Sequence, residues 1–190
     1  MRCSRAIVLC LVLGSLGQTT TAFAQEKGDL GVVMGYPTSI GFIYHVSDRF
    51  ALRPEITFAS TGSESETDFS ESEGDAWALG FAISGNFYVA QWDKVRSYVS
   101  ARYNYNHSES TSSTTILLPF IEDNESTLTS NAHGFFGMFG GVYSLHDRFS
   151  VFGEVGLGYT RQRAESEATG GKSTGHQFGP RTAVGINFYF

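Results

Sequence analysis

The chain has 190 residues with 19 acidic against 13 basic side chains, 14% aromatic residues, 22 glycines and only two cysteines. A net charge of −6 excludes the positive field that nucleic acid demands, and the length suits one domain. No stretch reaches the run of about 18 apolar residues that a membrane helix needs, so any membrane role falls to strands.

Met1 to Ala24 carries Arg2 and Arg5, an apolar run from Ala6 to Leu13, and Ala22-Phe23-Ala24 before Gln25. This is the pattern of a secretory leader with a small-x-small cleavage site, which predicts a cleaved segment 1–24 and a mature domain 25–190. Cys3 and Cys10 both fall in the leader, away from the cleavage site where a lipoprotein would keep one. The mature domain is therefore cysteine-free, which argues against a small disulfide scaffold. Losing Arg2 and Arg5 leaves 11 cations against 19 acids, a net charge of −8.

Period-two alternation then predicts eight strands. The first turns Leu30, Val32, Met34 and Tyr36 to one face, and Pro37-Thr38 makes a tight turn into Ile40, Phe42 and Tyr44. The third has Phe50, Leu52, Pro54, Ile56 and Phe58 outward, with Ala51, Arg53, Glu55 and Thr57 inward. The fourth alternates Trp77, Leu79, Phe81, Ile83, Phe87 and Val89 with small or polar residues, and the fifth places Val99, Ala101, Tyr103 and Tyr105 outward. The sixth, about Ala132 to Leu145, is apolar in both phases; Phe135, Phe139 and Tyr143 are assigned outward. The seventh has Phe149, Val151, Val155, Leu157 and Tyr159 outside and Glu154 within. The last, Gln177 to Phe190, alternates Phe178, Pro180, Thr182, Val184, Ile186, Phe188 and Phe190 with Gly179, Arg181, Ala183 and Asn187. A long half-apolar strand is an aggregation hazard in water, whereas a closed barrel in lipid requires one.

Three short connections share a signature, Asp48-Arg49-Phe50, Asp93-Lys94-Val95 and Asp147-Arg148-Phe149, and read as an internal hairpin repeat. Between them lie long segments rich in Ser, Thr and Glu, Ala59–Asp75, Ser108–Asn131 and Ala164–Gly175, read as loops. Short turns at one end and long loops at the other predict an all-β, eight-stranded antiparallel up-and-down transmembrane barrel with its turns in the periplasm. On this pattern, and on the ending Gly185-Ile186-Asn187-Phe188-Tyr189-Phe190, the chain resembles the OmpA/OmpX-like outer-membrane barrels that include the Ail-type surface proteins. The resemblance implies a bacterial outer-membrane location. It implies a choice among membrane stabilisation, adhesion, resistance to host defence and a minor channel. It also implies that Phe188 and Phe190 form a tag for the barrel-assembly machinery.

Five inward charges, Arg53, Glu55, Arg102, Glu154 and Arg181, are expected to meet in a lumen only wide enough for side chains. Their pairing gives a plug, or alternatively a narrow channel gated by rearranged pairs. Twelve acids, Glu64 to Asp75, Glu109 to Glu125, and Glu165 with Glu167, lie in the long segments opposed only by Lys172. They are either a solvated surface or a site for a basic partner or for divalent cations shared with lipopolysaccharide. The apolar stretch Ile116, Leu117, Leu118, Pro119, Phe120 and Ile121 is a packed strand extension or a tip that engages a host protein or second membrane. Arg161 and Arg163, above Tyr159, are candidate contacts for lipopolysaccharide phosphates or simply a solvated rim. For catalysis, such as lipid A hydrolysis, His45-Val46-Ser47 lies at the wrong end, and His107 and His133 lack a nucleophile at a telling spacing. No cofactor, metal site or catalytic residue is expected.

Overall fold

A computed structural model describes residues 26–67, 70–116, 122–168 and 170–190; the leader lies outside them. Eight strands run in order β1 (Leu30–Tyr36), β2 (Ser39–Ser47), β3 (Phe50–Thr67), β4 (Ser70–Trp92), β5 (Val95–Ile116), β6 (Glu122–His146), β7 (Phe149–Ser166) and β8 (Lys172–Tyr189). Each pairs antiparallel with its sequence neighbours, and β8 returns to β1 to close the ring. The register rises steadily around it. Leu30 faces Tyr44, and the row continues through Leu52, Gly85, Ala101, Gly137 and Leu157 to Pro180. Since Gly31 faces Tyr189, the row re-enters level with position 40, ten residues beyond its start. That stagger tilts the strands and makes a barrel just wide enough to be filled by side chains.

The outward residues are apolar and exposed on every strand, among them Phe42, Ile56, Phe81, Val99, Phe139, Val155 and Ile186. In β6, apolar in both phases, Phe135, Phe139 and Tyr143 face out while Met138 and Val142 are buried inside. Aromatic side chains end this belt on both sides, Phe188 and Phe190 at the turn end, Tyr159 and Phe178 at the other. This is the lipid-facing surface of a membrane barrel.

The three repeated turns are two residues long, closing on the pairs Ser47 with Phe50, Trp92 with Val95 and His146 with Phe149. Asp93 holds the positive φ of 44° that so tight a turn asks for. A register shift accompanies each turn, skipping Val46, Val89 and Leu145 in turn. Each skipped side chain is apolar and exposed, so the bulge keeps the lipid face apolar while tightening the strand end. The carbonyls of Arg49, Lys94 and Arg148 then accept backbone hydrogen bonds from Tyr88, Ser144 and Tyr189 of the adjacent hairpins.

At the opposite end the strands are longer than their hydrophobic pattern indicates. The segments read as loops are largely strand: β3 and β4 stay paired to Thr67 and Ser70, β5 and β6 to Ile116 and Glu122, and β7 and β8 to Glu165 and Lys172. Beyond the lipid both faces meet water, so no hydrophobic alternation marks the strand, while Ser and Thr pair readily. Only β1 and β2 are short.

Candidate functional site

The interior is built in layers. Nearest the turns lies an aromatic and cationic layer. His45, fully buried, stacks on Tyr88 at 5.6 Å between ring centres and leans on Tyr189 at 5.9 Å. Arg96 lies over Tyr88, with its guanidinium 3.9 Å from that ring's centroid and Nη2 donating to the Asp48 carbonyl at 2.7 Å. Val33, Ile43, Ala51, Val142 and Phe152 complete the packing.

Above it sit the charges. Arg53, 2% exposed, donates from Nη2 to Glu154 Oε2 at 2.9 Å, lies 2.8 Å from Oε1, and holds Nε 3.4 Å from Glu55 Oε2. Arg102 closes the chain by pairing with Glu55 and donating to Ser84 Oγ at 3.2 Å. Tyr98 donates its hydroxyl to Glu154 Oε1 at 2.7 Å, and Ser39 donates to Glu55 Oε1 at 2.9 Å. Two arginines meet two glutamates, so the layer is neutral and its carboxylate oxygens are satisfied, the condition for burying charge at low cost.

Arg181, expected in this network, is not joined to it. Its register row, through Gly156, Met138 and Ser100, lies above that of Glu154, because strand stagger lifts β8 relative to β3. Its guanidinium rests over the Phe136 ring at 5.3 Å, and among the described residues no carboxylate forms an ion pair with it.

The outer rim has an unequal charge pattern. Tyr103, Phe135, Tyr159 and Phe178 form one outward row across β5 to β8, and the row above it is Tyr105, His133, Arg161 and His176. The Tyr103 hydroxyl and His133 Nδ1 are hydrogen-bonded at 2.9 Å, and His176 stacks on Tyr159. Arg163 stands one row higher, beside a Lys172–Glu165 ion pair of 2.9 Å. From the sequence Arg161 and Arg163 stand at this rim and His133 is weighed for catalysis instead; the pairing register sets His133 and His176 beside the arginines. On the opposite side the acids gather: Glu64 faces Glu73 across the ladder, and Glu109 stands beside Trp77 on the outward face. Ile116 ends β5, and Leu117 to Ile121 lie outside the described residues.

The histidines weighed for catalysis are separate. His107 is hydrogen-bonded to Asn131 Oδ1 at 2.9 Å rather than to His133, and His45 faces rings inside the barrel, away from Ser47.

At the turn end Phe190 packs edge-on against Phe188 at 5.7 Å and its backbone N–H reaches the Leu30 carbonyl at 3.2 Å. Phe190→Ala should therefore cost the folded barrel no more than about 1.5–3 kcal/mol. If this ending is also read during assembly, the fraction folded in outer membranes should fall further than the heat-modifiable gel shift of refolded protein. Equal losses would restrict Phe190 to a stabilising role.

No protein-family profile matches the sequence, and neither does any curated protein. Solved structures do match. A major outer membrane protein of Thermus thermophilus superposes with a TM-score of 0.54 at 14% identity, over 85% of this chain and 98% of that one. CarO of Acinetobacter baumannii (TM-score 0.46, 14% identity, 85% and 97% covered) and Ail, the attachment invasion locus protein of Yersinia pestis (0.39, 14%, 85% and 95%), also align. The first of these shares the fold, and the closed ring with its lipid-facing belt makes the chain an eight-stranded transmembrane β-barrel.

Proposed function

We propose that this barrel works at the cell surface through its strand-built rim, and that its interior serves as a structural plug. The observation that carries the reading is the paired extension of β3 to β8 beyond the apolar belt, bearing acids on its outward face. Like charges directly opposite, as at Glu64 and Glu73, destabilise a ladder. A cationic partner, whether a basic surface of a host or neighbouring protein or divalent cations shared with lipopolysaccharide, relieves that strain. On the other side Arg161, Arg163, His133 and His176, set above an aromatic row, suit the phosphates of the outer leaflet.

Binding driven by the acids must weaken with salt, because exposed charges are screened beyond roughly 8 Å at physiological ionic strength. In surface pull-downs the intact protein should lose partner as salt rises, and a variant carrying Glu64→Gln, Glu73→Gln, Asp75→Asn and Glu109→Gln should retain little even in low salt. If deletion of Ile116–Ile121 abolishes capture while salt has no effect, the apolar segment is the recognition element instead. Mass spectrometry of lipid A with and without the gene tests the enzymatic alternative, which an unchanged profile would remove.

A further inference from the structure

β1 and β2 stop well below the top of the lipid-facing belt. The β1 ladder to β8 ends at Tyr36 with Val184, and the β2 ladder to β3 ends at Ile40 with Ile56. Above those points Thr57–Thr67 of β3 pair only with β4, and Lys172–Ala183 of β8 pair only with β7. No ladder joins β3 to β8 across the opening among the described residues. The opening begins within the apolar belt: the outward residues beside it are Ile56, Phe58, Pro180 and Phe178, and Phe178 is level with Tyr159. From Ala183 to Phe178 the bare edge of β8 runs roughly 17 Å along the strand, and the gap above the short hairpin is two strands, or about three inter-strand spacings, wide. Unpaired backbone at membrane depth is tolerated only where it lines a wet cavity.

Water reaches the inner wall beside this opening. Inward-facing Ala59 and Thr61 of β3 and Gln177 of β8 are exposed, whereas Ala78, Ala132 and Thr160 on the far wall are partly covered. The floor of the opening carries Arg181 on the Phe136 ring, with Nε buried and unbonded and no carboxylate partner among the described residues. A cation that no carboxylate contacts, at the mouth of a gap open to lipid, suits an anion that arrives with an apolar tail.

We propose that the gap between β3 and β8 is a side entrance from the outer leaflet, through which a single-chain amphiphile with an anionic head seats that head on Arg181. Its chain lies in the opening against Ile56, Phe58, Pro180 and Phe178. This does not depend on what the acidic rim binds.

The test uses refolded protein in detergent, photolabelled with palmitate bearing a diazirine near its carboxyl end, or with the matching alcohol, and mapped by mass spectrometry. The acid should label inward positions around Thr57, Ala59, Gln177 and Gly179, and the alcohol only the lipid-facing belt. Arg181→Gln should lower the inward labelling roughly tenfold, the loss of one charge-assisted contact, while Arg181→Lys keeps most of it. A Cβ added at Gly179 meets nothing closer than Gln177 Nε2 at 3.7 Å, so Gly179→Phe should fold and block the entrance. That variant decides the matter if Arg181→Gln fails the heat-modifiable gel shift. Identical maps for acid and alcohol, or inward labelling indifferent to both substitutions, would overturn the proposal. So would full displacement by inorganic phosphate, which would mark Arg181 as a site for small ions from the medium.

Discussion

Arg53→Met should destabilise the folded barrel by about 3–5 kcal/mol, the range for removing one side of a buried ion pair. Arg53 bridges both glutamates, and without it Glu154 retains only the Tyr98 hydroxyl while the charged layer passes from neutral to negative. Methionine preserves much of the apolar stem beside Phe152, whose ring centre lies 4.8 Å from the guanidinium carbon. The loss therefore reports charge. The double variant Arg53→Met/Glu154→Leu restores neutrality and should recover most of the stability, since a buried pair exchanged for apolar residues is often close to neutral. Urea unfolding of refolded protein, followed by heat-modifiable migration, measures both. Equal destabilisation in the single and double variants would mean that packing dominates.

The second large effect is expected at Tyr98, which is 1% exposed, meets the Tyr88 ring edge-on at 5.5 Å and occupies the space beside Gly140. Tyr98→Ala removes a buried aromatic ring and should cost about 3–5 kcal/mol. Tyr98→Phe removes only the hydrogen bond to a carboxylate, about 1.5–3 kcal/mol. The two differ in a further way. Alanine opens a hole between the aromatic layer and the salt bridges, so planar-bilayer recordings should show intermittent openings. The unaltered protein and Tyr98→Phe should give no steady conductance. Large, regular openings in the unaltered protein would overturn the plug.

The membrane-embedded part of this fold was legible in the chain because lipid imposes a strict alternation, and a residue's parity then gives its side of the wall. Parity even resolved β6, where both faces are apolar, through Phe135, Phe139 and Tyr143. Height was not legible. Parity placed Arg181 inside with Arg53 and Glu154, but stagger between strands decides who meets whom, and it sets Arg181 against Phe136. Arg96 went unnamed as a lumenal residue, and His45 was weighed only for catalysis, for another reason. Both have inward parity, but they stand next to turn signatures that drew attention to the turns rather than to the lumen. The arms of β3 to β8 were invisible as strands because water, unlike lipid, leaves no periodic mark on Ser, Thr and Glu.

The short β1–β2 hairpin also gives the molecule a compass bearing. A barrel of equal staves looks the same from every azimuth, and neighbours diffusing in the plane of the bilayer meet it without preference. This wall is low on one side, acidic over β3 to β5 and mixed in charge over β6 to β8, where Arg161, Arg163 and Lys172 share the rim with Glu125 and Glu165. A collision from one quarter meets repulsion between like charges, from another attraction, and from a third an open step at Tyr36. In a crowded two-dimensional array such a particle takes up preferred orientations relative to its neighbours.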